Sequence, residues 1–302
     1  MATTTMEPPA VSTVKPSHVY HAEAHVLSGH LQRPIEQKIE PQAPVTLEDR
    51  RGGHLARYTE DVSIEGLISY TKGRTRVSGS RSLKNQGWVT LSTSILEGLN
   101  VFEIITADRL VTQVSTDHAY ENGHVPHVTF LGTQFNNLQV SGFPVTLKFN
   151  FGICDKPEGD RSYLHDAAFL TRVKEQTEKI AGADRLPKQI KDQYDEKLTR
   201  LNDMIRVCGN GGRNYEEPVT CSLIDSIGEI PIPGVERFGH ILVIPEFGSV
   251  ALGEIEVGEK LYEENERPSV YFELTSIKMN LGCVGHGNVA AGTVLTNGNT
   301  RP

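Results

Sequence analysis

Apolar side chains recur at every second position over much of this chain. That period belongs to antiparallel strands with one face on a core and one in water. In VTLKFNFGI, Val145, Leu147, Phe149, Phe151 and Ile153 point one way, while Thr146, Lys148 and Asn150 point the other. In DVSIEGLISY, Val62, Ile64, Ile68 and Tyr70 share one face and Ser63, Glu65 and Ser69 the other, with Leu67 the exception. HVYHAEAHVL, WVTLSTSIL, NVFEIITADRLVTQVST, HVTFLG, NNLQVSG and VTCSLID read as further strands, many of them separated by glycine or Asn-Gly punctuation. FGHILVIPEFGSVALGEIEV reads as a hairpin turning at Pro245 to Gly248. In SVYFELTSIKMNLGCV the inward parity changes, from Val270, Phe272 and Leu274 to Ile277, Met279 and Leu281. A one-residue bulge near Thr275 and Ser276 would restore it.

The period changes to that of a helix between residues 160 and 207. HDAAFLTRVKEQTEKI carries Phe169, Val173 and Ile180 on one side and is stopped by Gly182. In LPKQIKDQYDEKLTRLNDMIRV, Ile190, Tyr194, Leu198, Leu201 and Ile205 form the stripe, and Pro187 sits where a helix start tolerates it. The expected fold is therefore mainly β: an antiparallel β-sandwich or flattened barrel with an inserted helical hairpin. Residues 1–17 read as a disordered arm and 18–53 as an extended strand and linker stiffened by Pro34, Pro41 and Pro44. The β domain then occupies 54–159 and 208–302, with the hairpin at 160–207. With one apolar stripe per helix, the hairpin reads as a detachable insertion, so deleting 162–206 is expected to leave a folded β domain.

The formal charge of −8 argues against a nucleic-acid partner, whose affinity rests on Lys and Arg. It argues equally against an anionic membrane surface. No apolar run approaches the ~20 residues that cross a bilayer, so no membrane insertion is expected. MATTTMEPPAVSTVKP has neither a basic nor an apolar signal region, so the protein as written reads as cytoplasmic. Cys154, Cys208, Cys221 and Cys283 form no C-x-x-C pair and read as small core residues or free thiols.

Several motifs bear on chemistry. GHGNVA at 285–290 fits G-x-G-x-x-G/A, but NVAAGTVLTNGNTRP after Gly287 supplies neither a helix and second strand nor the acid that holds a ribose. The expectation is a glycine turn between antiparallel strands, with Gly285 and Gly287 at φ > 0, that binds no dinucleotide. CGNGGRN lacks the G-K-[ST] of a phosphate loop and reads as a turn-rich loop. In HAEAH, His21, Glu23 and His25 share a strand face, the outer two ~13 Å apart and too distant for one metal. One His–Glu pair could still contribute to a site completed from elsewhere. The plainer reading is a solvated face opposite Tyr20, Ala22, Ala24 and Val26. TDHAYENGHVPHV gathers Asp117, His118, Glu121, His124 and His127, candidate ligands for a divalent metal in a hydrolase. The spacing matches no H-E-x-x-H motif, and no stoichiometric zinc is expected. Trp88 is the single tryptophan and a candidate stacking platform for a glycan, or else a core anchor. No G-x-S-x-G nucleophile motif occurs, and no catalytic residue or cofactor is assigned.

Four blocks, ITADRLVTQVST, FNNLQVSGFPV, FGHILVIPEFGSVAL and VYFELTSIKMNLGCVGHGNVAAG, resemble β-rich bacterial proteins of the choice-of-anchor P group. The resemblance runs from about residue 100 onward, outside the helical segment. It implies a β-rich bacterial protein with a cell-surface or extracellular location as the alternative, and it names no chemistry. The leading function is a non-enzymatic structural or self-assembling protein, a homo-oligomer formed when the N-terminal strand joins a neighbour's sheet rather than its own. The alternatives are a small-molecule or glycan-binding module and the metal-dependent hydrolase.

Overall fold

The computed structural model of the protein describes residues 17–82, 87–120, 124–159, 161–209, 217–260, 268–282 and 286–301. Most of the N-terminal arm, Glu121, Cys283, Gly285 and residues 210–216 lie outside the described residues. The chain opens with β1 (Ser17–Arg33), β2 (Gln37–Ile39) and β3 (Val45–Asp49), which belong to a first sheet. A second sheet follows: β4 (Gly53–Ile64), β5 (Ile68–Arg81), β6 (Trp88–Val101), β7 (Ile105–His118), β8 (His127–Thr129), β9 (Gln134–Asn136), β10 (Gln139–Val140) and β11 (Phe143–Pro144). Next come β12 (Leu147–Phe149), a single 3-10 turn at Tyr163–His165, and helices α1 (Ala167–Ala181) and α2 (Lys188–Gly209). The chain then returns through β13 (Val219–Ser222), β14 (Ile224–Ile227), β15 (Glu236–Phe238), β16 (Ile241–Ile244), β17 (Gly248–Lys260), β18 (Ser269–Leu281) and β19 (His286–Arg301).

The first sheet runs β15-β16-β17-β18-β19-β1-β2, with β13 beside β17 and β3 beside β1. The second runs β11-β10-β7-β6-β5-β4, with β8 and β9 beside β7. All the pairings are antiparallel, and β12 and β14 form a small separate ribbon. Two open sheets packed face to face make a sandwich with a helical insertion. β1 pairs with β19 over nearly its whole length, so the N-terminal strand is seated inside its own sheet.

The parity change in β18 is part of a larger device. Val26, Gly292, Ser276 and Gly253 lie level across β1, β19, β18 and β17, and Gly253 and Gly292 have φ of +62° and +67°. Across the second sheet Asp61, Thr71, Gly98 and Asp108 form a matching row, with φ of +50° at Asp61 and +66° at Gly98. A left-handed residue turns the pleat over, so inward side chains shift from one parity to the other. Neighbouring strands turn at the same level, so β18 stays in register with both β17 and β19. The expected bulge is thus corrected: the left-handed residues are glycines in the adjacent strands, and no register slips.

Between the sheets, small and hydroxyl side chains allow close approach. Ser92 and Ser94 of β6 donate to the carbonyls of Glu23 and His25 in β1, at 2.5 and 3.0 Å. Thr112 of β7 and Ser276 of β18 are hydrogen-bonded at 2.6 Å. A methyl group at Gly292 would collide with Thr112 Oγ1. On either side of this seam lie two apolar clusters, one around Tyr20, Val77, Val114 and Phe272, the other around Leu31, Leu96, Leu110 and Ile277.

Four sequence expectations change. DVSIEGLISY is not one strand: β4 ends at Ile64, residues 65–67 turn with Glu65 and Gly66 at positive φ, and β5 begins at Ile68. VTLKFNFGI forms strand only at Leu147–Phe149; Phe151 is 41% exposed in a turn. Alternation there had only the short partner β14 to pair with. NVFEIITADRLVTQVST is not one strand: Asn100 and Val101 end β6, residues 102–104 turn with Phe102 and Glu103 at positive φ, and the rest is β7. Lastly, the hairpin does not stand off from the β domain but packs into its core. Asp166 caps α1 by accepting from the Phe169 N–H at 2.8 Å, and α1 ends before Gly182. Phe169, Leu170 and Val173 are fully buried in the cluster that also holds Phe272, Ile255 and Val257. Tyr163 meets the rings of Phe169 and Phe272 edge-on at 5.4 and 5.0 Å. Ile180 and Tyr194 form a third cluster with Phe238 and Ile241. An amphipathic helix shows one stripe whether it lies on a finished surface or completes an unfinished one, and here it completes one. Among the described residues no helix is long and apolar enough to cross a membrane.

Candidate functional site

Alternation in β1 puts Tyr20, Ala22 and Ala24 on the core side and His21, Glu23 and His25 on the outer face of the first sheet. The register then brings together residues far apart in sequence. Glu23 lies opposite Leu295, Leu295 opposite Glu273, and Glu273 opposite Glu256, a continuous row over β1, β19, β18 and β17. The next row is His21, Asn297, Tyr271 and Gly258. These side chains, with Lys260, line a hollow of about 270 Å³. Gly258 is needed there, because any Cβ would run into the Tyr271 ring that lies over it.

Three carboxylates share the hollow in different states. Glu23 accepts from His21 Nε2 at 2.9 Å, and that bond, helped by the charges of His21 and Lys260, holds its carboxyl below the usual range. Tyr271 donates to Glu256 Oε1 at 2.7 Å; burial and that carboxylate push the phenol well up. Glu273 is pushed up to about 6, first by burial and then by repulsion from Glu256. On adjacent strands directly opposed side chains have Cβ atoms only ~5 Å apart. Glu273 and Glu256 thus repel each other at neutral pH. Opposite shifts at Glu23 and Glu273 within one hollow mark a site where charge is held at a cost.

The other sequence candidates fare differently. Asp117 and His118 are successive residues of β7, so they face opposite ways. Asp117 is paired across to His127, whereas His118 is fully buried against His18, ring centroids 4.7 Å apart. The 117–127 set therefore does not converge as a unit. Among the described residues no three His, Cys, Asp or Glu side chains gather to hold a metal. Trp88 is 4% exposed, stacked on His18 at 5.1 Å and on Tyr120 at 5.5 Å. Both ring faces are covered, which corrects the glycan-platform reading: the tryptophan anchors the end of the sandwich. Gly287, near the start of β19, has φ of +143°, and a side chain there would run into the His30 carbonyl of β1. Cys154 and Cys221 are free thiols, buried and in contact, and burial then Cys221 push the Cys154 thiol up.

HAEAH was the one legible fragment of the hollow. The rest was signalled only by acids on the outward parity of two later strands, GEIEVGEK and VYFEL. Nothing local says that these acids lie beside Glu23.

A family described as a domain of unknown function, DUF8256, matches residues 18–258, from β1 into β17. No curated protein matches the chain, and no solved structure does. The match takes in the second sheet, the helical hairpin, the first sheet apart from β18 and β19, and three of the residues that line the hollow, and on that extent the chain belongs to the DUF8256 family.

Proposed function

We propose that the protein is a non-enzymatic binding module whose outer-face hollow takes an aliphatic diamine or polyamine. The observation that carries this is the row Glu23–Leu295–Glu273–Glu256, with the Glu273 carboxyl pushed up to about 6. Carboxylates held together without enough cations repel one another, and a cationic ligand relieves that repulsion on binding. Among the described residues that line the hollow, Lys260 supplies one ammonium and His21 a hydrogen bond to Glu23, against three carboxylates. Strands lie ~4.8 Å apart, so Glu23 and Glu273, two strands apart, stand ~10 Å from each other. A methylene chain between two amines spans that gap, lying on Leu295 and the Tyr271 ring, as lysine stems lie on apolar surface. A neutral sugar would leave the repulsion in place.

The test is calorimetric titration with spermidine, 1,4-diaminobutane, glucosamine and glucose. The amines should bind and glucose should not; glucose binding with no amine binding would sink the proposal. Binding should require ionised Glu273, so apparent affinity should fall to about a tenth between pH 7 and pH 5.

Glu273→Gln separates function from stability. A carboxyl raised from 4.5 to about 6 on folding takes up protons, so it destabilises the fold above about pH 6. The amide removes that penalty. It should raise stability at pH 7 by about 1–2 kcal/mol, an effect that vanishes below pH 4.5, and weaken amine binding at least about tenfold. Urea titration and calorimetry read the two effects. A variant that is less stable at pH 7, or binds amines unchanged, would count against the assignment.

A further inference from the structure

The outer face of the second sheet carries a patch opposite in sign to the chain as a whole, whose net charge is −8. Three successive rows cross β4, β5 and β6: Tyr58–Arg74–Ile95, Ala56–Arg76–Thr93 and His54–Ser78–Leu91. None of the three holds a carboxylate. All lie on one side of the pleat reversal at Asp61, Thr71 and Gly98, so a single parity holds across the patch. Arg74 and Arg76 are accordingly exposed, and Gly73, Thr75 and Val77 are buried. Two residues apart on one strand face, the arginines stand ~7 Å from each other. The Arg74 guanidinium lies 5.2 Å from the centroid of the Tyr58 ring, which is 63% exposed. Arg76 donates from Nε to His54 Nδ1 at 3.2 Å, which leaves the terminal N–H groups of its guanidinium unspent. Among the described residues no carboxylate pairs with either arginine, whereas Arg109, Arg200 and Arg206 each hold a Glu or an Asp.

We propose that this face binds an acidic polysaccharide, a polyuronate whose sugar carboxylates are taken by Arg74 and Arg76 while one sugar ring lies on Tyr58. Guanidinium and carboxylate match as a two-pronged pair, which orients a ligand as well as attracting it. The open side of the Tyr58 ring is an apolar plate for the C–H face of a sugar. His54 and Ser78 border the arginines with hydrogen-bonding groups for sugar hydroxyls. The make-up of the patch chooses this occupant among polyanions. Extended peptides join a sheet along its edge through backbone hydrogen bonds. The face of a sheet offers only side chains, so a peptide lying there would be held by its acids alone. Nucleic acid strands are held by runs of phosphate contacts and by several stacking rings in succession, and this patch has two arginines and one ring. A polyuronate is also less densely charged than a phosphate chain, so the acidic remainder of the protein repels it less. The site is separate from the carboxylate hollow, which lies on the outer face of the first sheet.

Biolayer interferometry of the full chain on immobilised polygalacturonate, at about 50 mM NaCl to limit screening, tests this. The wild-type protein should bind. Arg74→Glu and Arg76→Glu should each weaken binding at least about tenfold, and Tyr58→Ala about fivefold. All three side chains are exposed, so each variant should melt at the wild-type temperature. Arg206→Glu makes the same charge change on the exposed side of α2 and should leave binding unaltered. In competition, galacturonate oligomers should displace the protein better than polyglutamate or an oligothymidylate of equal total charge. No binding to polygalacturonate at that salt would overturn the proposal. So would an Arg206→Glu loss as large as that of Arg74→Glu, which would mean diffuse attraction. Better displacement by polyglutamate or by the oligothymidylate would overturn it too, in favour of an acidic peptide or a nucleic acid.

Discussion

Phe169→Ala should lower the stability of the protein by about 3–5 kcal/mol, the usual cost of removing a buried aromatic ring. The side chain is fully buried, capped in place by Asp166 and packed edge-on against Tyr163, which in turn packs on Phe272. Its removal leaves a cavity at the junction of α1, the 3-10 turn and β18. The neighbours cannot readily collapse into it, because Tyr163 is also tied by its hydroxyl to the Pro126 carbonyl at 3.1 Å. Excising residues 162–206 extends the same logic. Phe169, Leu170, Val173, Leu201 and Met204 would go together, uncovering Ile255, Val257 and Phe272 in the middle of the first sheet. Domains of ordinary stability, 5–15 kcal/mol, do not survive such a loss. Urea unfolding of the point variant, and circular dichroism with a thermal melt of the deletion, check both statements. A cooperative melt in the deletion would show the hairpin to be separable after all.

Lowering the pH from 7 to 5 should cost a net ~3 kcal/mol of stability. His18 and His240 are each 3% exposed. Burial, and then the neighbouring His118, hold His18 down to about 2. Burial holds His240 down to about 4, with Glu254 opposing and Lys197 reinforcing. Both imidazoles are neutral in the fold but accept a proton near 6.5 once unfolded. Below 6.5 the unfolded chain binds more protons, so the stability present above that pH is lost progressively as the pH falls towards the folded values. At pH 5 each histidine contributes ~2 kcal/mol to that loss. Glu273 works in the other direction, since it takes up its proton in the folded state; it returns ~1 kcal/mol over the same interval. Denaturant midpoints at pH 7 and pH 5 measure the sum. His18→Gln should remove about half of the histidine part, and an unchanged pH slope in that variant would refute the assignment. His18 joins β1 to β19 through a hydrogen bond between Nδ1 and Thr300 Oγ1 at 3.0 Å, so acid should loosen first the end of the sandwich where Ser17 pairs with Arg301.

Period-two alternation determined the class of fold. It located β1, β6, β7, β17 and β18, and with the glycine and proline signals it placed the hairpin turn at Pro245–Gly248 and the start of α2 after Pro187. Those features are local: a strand's facing follows from its own side chains, and a turn from the conformations its residues tolerate. The same local information singled out His21 and Glu23 as neighbours on one face, 2.9 Å apart in the structure. It gave no warning that Asp117 and His118 would be parted by the strand that carries both, because the segment was legible as a loop and not as the last residues of β7. Nor did Trp88 announce that its faces were taken, since His18 covers one of them from the opposite sheet. What remained was decided by pairing between distant segments. The row Glu23–Leu295–Glu273–Glu256 exists only because the first and last strands of the chain lie side by side. The pleat reversal is shared by four strands at a time, so no single strand shows it complete. α1 is core rather than ornament because Phe169, Leu170 and Val173 pack into one apolar cluster with Ile255, Val257 and Phe272 of the first sheet. Side-chain period is a property of a segment, whereas register, burial and the pKa of Glu273 are properties of what the segment lies against.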